Sequence, residues 1–373
     1  MSRLADILRR TGDLVLGKTY APIAVGLLTL AVVFAVRVWD PPLVAVARLA
    51  VFDTYQRAAP RPYRPVPVRV VDIDDPSLAK LGQWPWPRWQ VADLVRRLAA
   101  LGAKVVVFDI VFAEPDRTSP NSLAQDWSAF PELAEVFKDA GALPDFDRHL
   151  ADSFAETKVV TAVALTREPN DARPKIKASF ATVGPDATGY LTAFHGAVGN
   201  LEVLENAADG NGSFAVVSSV DEVIRRAPLL QTLDGRIYPA LSIEALRVAE
   251  DVGTVKIRGN SGGAEGSFGR PAGLERLQVG RHNVPLTPDG NIWVHYTENR
   301  PERMVPVWRI MADDGADARI ADLIAGHIVL VGTSAAGLKD LRSTPLNPFE
   351  PGVLIHAQLI EQILLGWFLD RPA

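Results

Sequence analysis

Acids stand at the ends of two apolar runs, where they have little reason to be unless they do something. In VVDIDD, beginning at Val70, Asp72, Asp74 and Asp75 close the first run; Asp109 closes the second, VVVFDIVF, and Glu114 and Asp116 follow in FAEPD. Acids gathered closely repel one another unless they bind a cation, pair with a base such as Arg88, or hold a shared proton. In the cation state Asp72, Asp74 and Asp109 are the metal ligands, and oxygen donors of flexible geometry suit calcium or magnesium. The competing reading is structural: Asp74 or Asp75 ahead of PSLAKLG caps a helix, with Pro76 in its first turn. Between the two runs lies WPWPRW, whose prolines hold Trp84 and Trp86 at fixed angles. That suits stacking on a ligand, or a wedge that packs the loop, and packing is preferred.

A third apolar run, HIVLVGTS, ends in Thr333 and Ser334, with Asp340 in the loop beyond. The candidate ligand-binding residues are therefore Asp72, Asp74, Trp86, Arg88, Asp109, Glu114, Asp116, Thr333, Ser334 and Asp340. Enzyme readings fare worse. Ser334, His356 and Asp340 have the residue types of nucleophile, base and orienter, but GTSAAG is not the G-x-S-x-G elbow. The six histidines show no H-x-x-x-H or H-E-x-x-H spacing for zinc, and His356 reads as a core histidine. The glycine-rich stretch 259–273 lacks the Lys-Ser/Thr ending of a phosphate cradle and reads as a flexible loop. No catalysis is expected of this chain, and no cofactor beyond the cation.

These residues need elements to hold them. VRVVDID and KVVVFDIVF read as strands buried on both faces, and WQVADLVRRLAALGA between them has helical spacing, so the three form a βαβ unit with neighbouring parallel strands. The carboxyl ends of parallel strands are where ligand crevices open, so Asp72, Asp74 and Asp109 are expected at one mouth. TKVVTAVALT and HIVLVGTS are further strands, and helices are expected over 239–250 and 352–368. Asp-Gly turns signal two hairpins, at Asp234-Gly235 and Asp289-Gly290. The fold class is α/β: a mixed, mainly parallel central sheet flanked by helices, with added β-hairpins and one N-terminal transmembrane helix.

That last element is read from 21–36, an uncharged run extended by its flanks to the roughly 20 residues that cross a bilayer. Tyr20 and Trp39 edge it, and Arg3, Arg9, Arg10 and Lys18 precede it, which keeps the N-terminus cytoplasmic. A buried core helix and a cleaved signal peptide ending near Ala35 are the alternatives. A short amphipathic helix over 43–57 follows, then Pro60, Pro62, Pro65 and Pro67, which favour an extended connector. The expected divisions are a cytoplasmic tail 1–20, a transmembrane helix 21–39, a membrane-proximal helix and connector 40–65, and a folded extracytoplasmic domain 66–373. With 373 residues, 48% of them hydrophobic, and a net charge of −5, the folded part has ample core. No basic surface interleaved with aromatics is present, which argues against nucleic acid. The lack of cysteine excludes a disulfide framework.

Six stretches in order, VRVVDIDDPSLAKLGQWPWPRW, LAALGAKVVVFDIVFAEPD, APLLQTLDGRIYPALSIEALRVA, VPLTPDGNIWVHYT, HIVLVGTSAAGLKDLRSTPL and PGVLIHAQLIEQILLGWFLDRP, resemble the type two CHASE domain, the cyclase/histidine-kinase-associated sensory extracellular domain. The resemblance runs from about Leu43 to the last residues. It implies a bacterial inner-membrane receptor with its sensor domain in the periplasm or outside, relaying an unknown extracellular ligand or stimulus to a cytoplasmic output. In the family that output is an adenylate or guanylate cyclase, a kinase or a diguanylate cyclase. The chain stops at FLDRPA, where the family next enters the membrane, so the output and its helices are absent from it. A homodimer is expected, with the signal carried as displacement of helices 43–57 and 354–368. The alternative is an envelope-anchored scaffold that dimerises or binds a partner and senses nothing.

Overall fold

The structure is a computed structural model that describes residues 20–39, 41–127, 129–130, 144–216, 221–261, 272–312, 318–338 and 340–369. The chain divides into two compact units, Met1–Ala58 and Ala59–Ala373.

In the first unit the apolar run forms the helix Ala21–Trp39, followed by the helix Pro42–Ala58. Apolar side chains at Ile23, Leu27, Leu28, Leu30 and Phe34 on the first helix are all exposed. The transmembrane helix expected over 21–39 is nevertheless not supported: among the described residues no helix is long and apolar enough to cross a membrane. Arg37 confines the uncharged helical stretch to 21–36. At 1.5 Å per residue that is about 24 Å, short of the roughly 30 Å hydrocarbon core.

The second unit is built on a seven-stranded sheet. Its first three strands are β1 (Val68–Ile73), β2 (Val105–Phe108) and β3 (Val159–Thr166). Across the sheet the order is 304–306, β1, 328–333, β2, β3, 196–198, and the strand Gly210–Ser213 also pairs with β3. Every pairing is parallel except that of β3 with 196–198. The mainly parallel sheet flanked by helices is thus present, but β1 and β2 are not neighbours. The strand Ile328–Thr333 lies between them, pairing with both. Nothing local forbids this, because a helical crossover leaves room for a strand to insert.

Strand side chains alternate between faces, and each face has its own core. Val68, Val70, Val105, Val107, Ile328 and Leu330 pack against helices Leu241–Ala249 and Gly352–Leu365. Val71, Ile73, Val106, Phe108, Val329 and Val331 pack against helices Arg88–Ala100, Phe146–Ser153 and Ala318–Ile324. The hairpin at Asp234-Gly235 forms, joining Leu230–Leu233 to Arg236–Pro239, with both turn residues at positive φ (48° and 73°), as a tight hairpin turn requires. The second expected hairpin does not form. Thr287 and Gly290 close a turn, but the strand His282–Pro285 pairs with Gly273–Val279 and the strand Asn291–Trp293 with Arg226–Pro228. The turn directs its two arms into different sheets. Strands Thr254–Asn260 and Gly273–Val279 flank the glycine-rich stretch; residues 262–271 lie outside the described residues.

Residues 59–67 are not a free connector. They carry the prolines in an extended path, yet belong to the second unit, because Arg61 is buried against Glu361 at 2.8 Å. Proline sets the backbone conformation; it does not decide whether the segment is packed.

Candidate functional site

The expected mouth resolves into three separate polar groups. In the first, Asp72 near the end of β1 is 4% exposed. It accepts from the Ser334 backbone N–H (2.9 Å) and from the Ser334 hydroxyl (2.6 Å). Thr333 Oγ1 donates to the Ile73 carbonyl (3.1 Å) and accepts from Ala335 N–H (3.2 Å). Both residues of the Gly-Thr-Ser loop thus fasten 328–333 to the end of β1. Burial pushes the Asp72 carboxyl up to about 6; Ser334 lowers it, while Asp74 and Asp75 raise it by repulsion.

Asp74 takes the structural role. Its carboxylate accepts from Ser77 N–H (2.8 Å) and the Ser77 hydroxyl, capping the helix Asp75–Leu81, with Pro76 in the first turn.

The second group forms beyond β2. Asp109 N–H donates to the Val331 carbonyl (2.9 Å), which sets it opposite Gly332, while Asp72 is in register with Gly332 on the other side. The two acids therefore share a face but lie two strand spacings apart, about 10 Å. The gap is filled: a Cβ on Gly332 would sit 2.5 Å from Val353 Cβ, so the start of the helix Gly352–Leu365 presses directly on the sheet between them. Asp109 instead meets Asp340 and Arg342. Burial pushes its carboxyl up to about 7, reinforced by Asp340 and opposed by Arg342. Arg342 lies 3.1 Å from Asp340, and Gly352 N–H, at the helix start, donates to the Asp340 carbonyl (3.0 Å). Asp72, Asp74 and Asp109 do not form one cation cage. Among the described residues no group of three or more His, Cys, Asp or Glu is placed to hold a metal ion.

The third group surrounds Arg88. Its backbone N–H donates to Asp116 Oδ2 (2.7 Å), so Asp116 serves the start of the helix Arg88–Ala100 from 28 residues away. Its guanidinium stacks 4.7 Å over the Phe112 ring, reaches the Glu114 carbonyl at 3.3 Å, and lies 3.4 Å from Asp147. Burial lowers the Arg88 pKa, and Asp147 and Asp116 oppose that shift. Glu114 contributes its backbone here, not its carboxylate. Asp147, which the sequence reading missed, closes the group by accepting from Asp116 N–H (2.8 Å). Its signal was present in PDFDRHL as an acid in the first turn of a helix, but no local pattern ties that helix to Arg88.

Trp86 is 3% exposed, donates through Nε1 to the Gly82 carbonyl (2.7 Å) and meets Trp84 edge-on at 5.4 Å. It is a wedge, as preferred. Trp86→Phe is expected to cost about 1 kcal/mol, the hydrogen bond, and Trp86→Ala about 3–5 kcal/mol, the ring. Urea melts of the two variants check the order, and equal losses would refute it. Ser334, His356 and Asp340 do not act together. The Ser334 hydroxyl is engaged by Asp72, and buried His356, held neutral with its pKa lowered to about 4, bonds to the Phe214 backbone.

What the arrangement offers chemically is two carboxyl groups, buried Asp72 and partly buried Asp109, whose pKa values burial raises to about 6 and about 7, on either side of a helix start. Comparison with known families gives one match, in which the model of the CHASE2 domain covers residues 27–373. No curated protein and no solved structure matches the chain. CHASE2 domains are sensory extracellular domains of membrane signalling receptors that carry cytoplasmic output domains. With nearly its whole length so matched, the chain belongs to the CHASE2 domain family.

Proposed function

We propose that this chain is the extracytoplasmic sensor module of a bacterial transmembrane receptor, delivering a stimulus to a cyclase, kinase or diguanylate cyclase output. The observation that carries the reading is the CHASE2 match across 27–373. The module is tethered through the helix Ala21–Trp39, whose exposed apolar side chains favour lipid. A homodimer is part of the proposal, supported by the exposed Leu43, Val46, Val51 and Tyr55 of the helix Pro42–Ala58. The module itself carries out no reaction.

The test is topological. The chain is expected to stay in membranes after carbonate washing, and alkaline phosphatase fused after Ala373 is expected to be active in the periplasm. Extraction into the wash would remove the tether. An inactive phosphatase beside an active cytoplasmic reporter would overturn the sensor reading.

A further inference from the structure

The helix Gly352–Leu365 looks like pure core in sequence, yet it carries a buried polar stripe at Gln358, Glu361 and Gln362. Two of these treat the chain at 293–297 almost as a strand edge. Gln362 accepts from His295 N–H and donates to the Trp293 carbonyl, and Gln358 accepts from Thr297 N–H. Glu361 does something different. Its two oxygens hold two arginines from distant parts of the chain: Arg303 Nε at 2.6 Å and Arg61 Nη2 at 2.8 Å. Arg303 also donates to Thr297 Oγ1 (2.7 Å) and lies 5.3 Å from the Tyr63 ring. Arg61 reaches the His295 carbonyl (2.9 Å), and its own N–H bonds to the Tyr296 carbonyl (2.8 Å). A second contact joins the same two segments, with the Arg64 guanidinium 5.2 Å over the Trp367 ring.

As a source of stability this is a poor arrangement. Three charges are withdrawn from water, with side chains at most 1% exposed. Arg61 Nη1 and Arg303 Nη1 are buried without a hydrogen-bond partner. Replacing a buried ion triad by apolar groups of similar volume is commonly neutral or stabilising. What the charges do supply is directional geometry between two particular segments.

We propose that Glu361, by gripping Arg61 and Arg303 together, is a latch that ties residues 59–64, where the chain enters the folded unit, to the helix Gly352–Leu365, so that a displacement of either is delivered to the other. The device holds whether or not the chain senses anything, and its test therefore needs neither stimulus nor output.

The chain has no cysteine, so Ala59→Cys and Leu365→Cys give one label pair with no background removal. Spin-label distances are read by pulsed electron resonance on the full chain, in the parent and in the triple variant Arg61→Met, Arg303→Met, Glu361→Leu. Charge is removed from all three members of the triad at once, while Glu350, which also feels Arg303, keeps its hydrogen bonds from Asn347 and Gln358. The expected result is a narrow distribution in the parent and one at least twofold wider in the triple variant, with the melting temperature kept. An unchanged width with the charges gone overturns the latch. A triple variant that does not fold overturns it equally, since the triad would then be a stability element.

Discussion

At pH 8 the Asp109→Asn variant is expected to be more stable than the parent by about 2 kcal/mol, and that advantage is expected to shrink as the pH is lowered to 5. The folded pKa of Asp109, about 7, lies above its ordinary 3.8. Between those values the folded state keeps a proton that the unfolded state releases, so stability falls as pH rises through this window. One unit corresponds to about 1.4 kcal/mol, and solvent screening of the partly exposed side chain reduces the total. Asparagine cannot ionise and escapes the penalty. The comparison must be between variant and parent, because the absolute curve mixes signs. His295, His327 and His356 have lowered folded pKa values, so below about 6.5 they take up protons on unfolding and acid destabilises through them. Denaturant melts at pH 5, 6, 7 and 8 decide the matter. A variant weakened equally at every pH would mean that Asp109 is ionised and held by Arg342.

The second large effect is expected from Glu361→Gln alone. It leaves Arg61 and Arg303 buried without a counter-charge, the situation that costs about 3–5 kcal/mol when one member of a buried ion group is removed. The loss appears as a lowered urea midpoint with an unchanged slope. Restoring apolar side chains at Arg61 and Arg303 recovers most of it. A loss under about 1 kcal/mol would show that water reaches the triad and screens it.

Strands and helices with strong internal patterns were legible in the sequence. VRVVDID, KVVVFDIVF and HIVLVGTS are buried parallel strands because both of their faces are apolar, and the helix expected over 352–368 forms over 352–365, stopped three residues early by the αL glycine at Gly366. The candidate site was legible as residues but not as an arrangement. Each acid does stand at a strand end, yet whether Asp72 meets Asp109 depends on which strand lies between them, and alternation within β1 and β2 carries no information about that. The same holds for Asp289-Gly290, where the turn was right and its partners were set from elsewhere. Arg61, Glu361 and Asp147 were missed because their partners lie 300, 58 and 31 residues away. Charge pairing over such separations leaves no local signature, and in Gly352–Leu365 the polar stripe is hidden among aliphatic neighbours.

The strand at 328–333 has a consequence for how this protein is made. Its two partners β1 and β2 are complete once residue 108 has left the ribosome, yet the strand that fills the slot between them begins 220 residues later. At about 5–20 residues per second, roughly 10–45 s pass in which two valine-rich strand edges have no partner. Unpaired edges of that kind are templates for aggregation. A nascent chain arrested before residue 328 would hold β1 and β2 without the strand that pairs with both of them.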